Sequence, residues 1–135
     1  MAATPQQAAD ALETALGTIS GLRVFDHVPD SYATPCAFIL PDVITYWGSF
    51  AGGNVEQQFI VTLVVGRTSD RAAQRTLYAY AAYSGAQSIR AAIEADRTLG
   101  GVIQTCIVNS AGNIRMLQQA DATYLAIDFE VTVHA

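Results

Sequence analysis

A chain of 135 residues has room for one ordinary domain, and at that size it can bury roughly 65–70% of its unfolded surface without disulfide or metal staples. Its residues are 51% apolar and only 14% charged, a greasy balance that predicts surface buried against other subunits unless small Ala residues merely inflate the count. Seven arginines and no lysine oppose twelve acids, and the net charge of −5 excludes a protein built to grip a phosphate backbone.

The opening "MAATPQQAAD" has neither a basic start nor an apolar run, so no signal peptide is expected. No stretch of about 18 apolar residues follows that would span a membrane. Thr4-Pro5 starts a helix, with threonine as cap and proline in the first turn. Ala8, Leu12, Ala15, Leu16 and Ile19 form its apolar stripe, and Gly17 or Gly21 ends it. "LRVFDHV" (22–28) reads as a short strand closed by Pro29-Asp30. "CAFILPDVITYW" (36–47) reads as a second strand, in which Pro41 forces a bulge or an edge position.

Gly48 to Asn54 turn the chain into "VEQQFIVTLVVG" (55–66), a third strand that starts half exposed and ends buried on both faces. These two strands make a long β-hairpin. Residues 68–96 are helical, capped by Thr68 or Ser69 and kinked or split at Ser84-Gly85. Leu77, Ala81, Ile89 and Ile93 supply their buried stripe. A loop over 98–101 leads to a strand over 102–110, and Gly112-Asn113 turns the chain. The final strand, "YLAIDFEVTVHA" (124–135), points Leu125, Ile127, Phe129, Val131 and Val133 inward, with Asp128, Glu130, Thr132 and His134 outward. The order α-β-β-β-α-β-β predicts an α+β domain: a mostly antiparallel sheet of about five strands with helices on one face.

A search for chemistry returns little. His27 and His134, the only histidines, have no second metal ligand at i+2 or i+4. No GxSxG nucleophile elbow and no GK[ST] phosphate loop occurs. Asp26, Asp30 and Asp42 fit solvated loop acids better than a metal or acid/base site. Cys36 and Cys106, 70 residues apart, fit buried, reduced thiols of a cytosolic protein. No catalytic residue, metal or cofactor is assigned.

Two features ask for a partner. "TYWGSFAGGN" (45–54) gathers Tyr46, Trp47 and Phe50 beside a glycine-rich tip, as a ligand pocket, a membrane anchor or a protein-docking surface would. No Lys or Arg accompanies them, which disfavours the membrane. Alternation sends Tyr46 and Trp47 to opposite faces, so one of them looks outward, where a large aromatic serves as an interface anchor. Arg67, Arg71 and Arg75 repeat at four-residue spacing, and like charges so placed repel by a few tenths of a kcal/mol. They form either a solvated face or the counterpart of an acidic surface across a subunit boundary, for which Asp128 and Glu130 are this chain's own candidates.

"GLRVFDHVPDS" (21–31), "VVGRTSDRAAQRTLYAY" (64–80), "SGAQSIRAAIEADRTLGG" (84–101) and "YLAIDFEVTVHA" (124–135) resemble tail terminator proteins of long-tailed, non-contractile bacteriophages, those of actinobacteriophages in particular. The resemblance runs over nearly all of residues 1–135, in order, mostly on fold-forming residues. It implies an α+β domain that assembles as a hexameric ring on the head-proximal end of the tail tube. Such a ring stops tube polymerisation and docks the head connector or stopper protein. The partners implied are further copies of the chain, the tail tube protein and the connector, with DNA passing through unbound. The place implied is the virion, after synthesis in the host cytoplasm. Another neck or head–tail joining protein is the alternative within this class; a small ligand-binding or enzymatic α+β domain is the alternative outside it.

Overall fold

A computed structural model describes residues 4–19, 21–25, 35–45, 56–67, 71–119 and 122–134. Helix α1 (Pro5–Leu16) opens on a capping box: Thr4 Oγ1 accepts the Gln7 N–H at 3.1 Å, and Gln7 Oε1 accepts the Thr4 N–H at 2.9 Å. Gly17 caps its C-terminus. Ala8, Leu12 and Leu16 are fully buried, as the stripe requires.

Five strands follow the predicted class, in the spatial order β1-β2-β3-β5-β4. Strand β1 (Arg23–Phe25) lies parallel to β2 (Cys36–Thr45), and every other pair is antiparallel. Strands β2 and β3 (Glu56–Arg67) form the expected long hairpin, and its register slips between Pro41 and Val43. Proline has no N–H for the ladder, so the bulge falls beside it. Burial along β3 alternates at first and becomes continuous from Val61.

The helical stretch splits into α2 (Arg71–Ala81) and α3 (Ile89–Glu94). Gly85 sits between them at φ +121°, a conformation that other residues rarely adopt. The predicted caps Thr68 and Ser69 lie outside the described residues, whereas Ser88 caps α3 by accepting the Ala91 N–H at 3.1 Å. All three helices lie on one face of the sheet. Their residues Leu12, Leu16, Leu77, Tyr80, Ile89 and Ile93 pack against Ile39, Phe59, Val61, Leu63, Phe129 and Val131. A smaller cluster of Cys36, Phe38, Val64 and Ala126 occupies the other face.

Two expectations need correction. Leu99, Gly100 and Gly101 take positive φ values of 49°, 74° and 86°, so turns run on past residue 101 and β4 begins only at Thr105. Gly112-Asn113 does not reverse the chain: β4 continues to Gln119 and pairs with β5 (Ala122–His134) down to Gln119↔Ala122. Asn113 does adopt the left-handed φ of 53° that the dipeptide favours, but between Gly112↔Asp128 and Arg115↔Ala126 this makes a bulge. Thr132 keeps the outward side of β5 that it shares with Asp128 and Glu130, but it is buried there, where Asn109 of β4 donates a hydrogen bond to its hydroxyl.

Candidate interaction surfaces

The face of the sheet that is helix-free among the described residues carries a charge the strands hold in place. Asp128 sits mid-β5, where its carboxylate receives donors from both neighbouring strands. Arg115 Nη1 lies 2.7 Å from Oδ2, Asn113 Nδ2 donates to Oδ2 at 2.9 Å, and Thr62 Oγ1 donates to Oδ1 at 2.8 Å. The β4 bulge makes this possible, since the register slip between Gly112↔Asp128 and Arg115↔Ala126 lets the side chains of Asn113 and Arg115 both reach Asp128. Burial pushes the Asp128 pKa up, but the hydrogen bonds from Arg115, Asn113 and Thr62 and the Arg115 charge outweigh it, leaving the group below the ordinary carboxylate value. Glu130 lies two residues along the same face, half-buried and opposite Ser110 and Ile60.

The arginines do not form one row. The β3 register slips between Val64 and Gly66, and a Cβ on Gly66 would stand 3.4 Å from Ala73 of α2. Val65 and Gly66 thus both face the helices. Arg67 is thrown to the far side beside Tyr124, which packs with the helix-free cluster. Arg71 and Arg75 share α2 instead, on the helical side. Arg67 and Arg75 are both exposed, and among the described residues neither has a carboxylate partner. The α2 surface around Arg75 also carries Gln74, whose Nε2 donates to Tyr78 Oη at 2.8 Å, and Tyr78 itself is 61% exposed. Tyr46, Trp47 and Phe50 lie outside the described residues, as does the side chain of Arg71.

Two arrangements had no counterpart in the sequence-based expectations. On α3, Glu94 Oε1 bridges Arg90 at 3.3 Å and Arg97 at 3.0 Å, while its Oε2 accepts the Val108 N–H of β4 at 3.2 Å. The Arg90 guanidinium stacks 3.8 Å above the Tyr83 ring. The i, i+4 and i, i+3 spacings of Arg90, Glu94 and Arg97 could have revealed the ion pairs, but not the strand contact. The second arrangement is a groove of about 720 Å³ between α1 and the α3 end, floored by Ala11, Ala15, Ala92 and Leu99. Asp10 and Asp96 stand on its walls. Asp96 accepts the Thr98 hydroxyl at 2.7 Å and the N–H groups of Gly100 and Thr98 at 3.0 and 3.1 Å, bonds that hold its pKa below the ordinary carboxylate value.

The cysteines sit apart, Cys36 on the helix-free face and Cys106 under α3, and burial raises both thiol pKa values to about 11. Among the described residues no three of His, Cys, Asp and Glu gather as a metal site would need, and no helix is long and apolar enough to cross a membrane.

No protein-family model matches this sequence, and no curated protein does. Among solved structures, a chain described as "Virion of native gene transfer agent (GTA) particle" is similar over 98% of this chain and 92% of its own, at 18% identity and a TM-score of 0.35. A likeness so slight assigns neither fold nor role to this chain.

Proposed function

We propose that the protein is a virion structural component of a tailed bacteriophage, acting as the tail terminator. It caps the head-proximal end of the tail tube as a homomeric ring, stops tube polymerisation and presents the docking surface for the head connector. In this reading residues 1–135 act as one domain and perform no catalysis.

The supporting observation is where the resembling stretches fall. Residues 21–31 include β1, 64–80 join the end of β3 to α2, 84–101 contain α3 and its loop, and 124–135 include most of β5. The resemblance thus covers elements of an α+β fold of the class it implies, in the same order. The composition supports assembly too, since 51% apolar residues exceed what a small isolated domain needs. Trp47 and Phe50 are proposed as anchors toward a neighbouring subunit or the tube. A net charge of −5 without lysine suits a channel that DNA must pass without sticking.

Native mass measurement and chemical crosslinking of the purified protein, alone and with tail tubes, test the proposal. The expected product is a closed ring, sixfold as the resemblance implies, in at least the tube-bound sample. A strict monomer in both settings overturns it.

A further inference from the structure

Resting on the proposed ring, we infer that the contact between neighbouring subunits is made by the exposed face of α2 on one copy entering the α1/α3 groove of the next. The two surfaces are complementary in charge. The groove has an apolar floor of small side chains, and the carboxylates of Asp10 and Asp96 stand at its walls. The α2 face offers the cation of Arg75, which has no carboxylate partner among the described residues, the amide of Gln74 and the ring of Tyr78, all exposed. Asp10 is touched by Gln6 Nε2 at 2.8 Å and by no cation among the described residues. The hydrogen bonds on Asp96 favour its charged form. Alanines at 11, 15 and 92 let a second helix approach closely, and a volume of about 720 Å³ admits several side chains. Two different patches of one molecule that fit each other make a head-to-tail contact, which closes into a ring when its rotation closes.

The test uses the full chain and reads ring formation by native mass spectrometry, with thermal melting as the check on folding. Arg75→Glu alone and Asp10→Arg alone should each weaken ring formation at least about tenfold, since each places like charges face to face. Mixed one to one, the two variants should recover it. In an alternating ring the acid introduced on α2 of one variant meets the base introduced in the groove of the other, and the native Arg75 of the second meets the native Asp10 of the first. Ala95→Trp, which fills the groove from an exposed wall, should block the ring while the protein still melts cooperatively. Rings formed equally well by all variants overturn the groove contact and leave the terminator proposal standing. Variants that form normal rings but fail to cap tails assign the groove to the tube protein and overturn it as a self-contact. A wild-type chain that stays monomeric with and without tubes overturns both.

Discussion

Arg115 and Asp128 meet across the β4–β5 ladder at 2.7 Å, although Asp128 stands opposite Gly112 and Arg115 stands opposite Ala126. The bulge between those pairs is what lets them reach each other. The Asp128 pKa lies below its ordinary value, so its stabilising contribution is fully present above the unfolded carboxylate pKa of about 4 and is lost as pH falls through the folded value. Asp128→Asn should lower stability at neutral pH by about 1–2 kcal/mol, the scale of charge-assisted hydrogen bonds in a half-open site. Urea melts from pH 7 to pH 3 check the sign. The gap between variant and wild type should shrink toward the acid end, and a constant gap would mean that charge is not what Asp128 contributes.

Ser88 should matter more than an ordinary helix cap. It is buried, and its hydroxyl both accepts the Ala91 N–H and donates to the Ala82 carbonyl at 2.6 Å, tying the start of α3 back to the end of α2. Ser88→Ala leaves both backbone groups without that partner and should cost about 2 kcal/mol, read as a lower urea midpoint with an unchanged slope.

The thiols of Cys36 and Cys106 should be inert while the protein is folded. With pKa values of about 11, each is ionised only to about one part in a thousand at pH 8, and each is buried. Reaction with a thiol reagent should be slow in native buffer and complete within mixing in strong denaturant. Rapid native labelling of either residue would show that its cover opens.

Much of the fold was legible because strand and helix periods differ. The stripe from Ala8 to Ile19, the alternation from Ile127 to Val131 of β5 and the shift in β3 from half-buried to buried all fall where burial puts them. Bulges were the limit. Pro41 announces one through its missing N–H, whereas the slip at Gly66 that separates Arg67 from Arg75 is signalled only by a glycine near the strand's end, which serves equally well to end a strand. At Gly112-Asn113 a bulge stands where a turn was expected, because a left-handed residue such as Asn113 suits either. The Asp128 cluster depends on register across three strands, and residue spacing along one chain carries no such information.

The aromatic stretch 45–54 carries its own prediction. Trp47→Ala together with Phe50→Ala should cost roughly 2 kcal/mol or more of association energy and leave monomer melting almost unchanged. A tail-capping assay beside thermal melting decides it. Normal capping by the double variant, or outright unfolding, would remove this stretch from the docking surface.

The order β3-β5-β4 has a consequence for how the protein is made. Strand β5 is a keystone: it supplies Ile127, Phe129, Val131 and Val133 to the core, and among the described residues it is all that joins β4 to the sheet. A nascent chain that stops short of Ala122 therefore leaves β4 without a strand partner, held only by its contacts with α3, and exposes the partners of those side chains. Such fragments lack a completed sheet and core. The delay has a kinetic cost, because β3 must wait for a strand more than fifty residues further along before its second edge is satisfied.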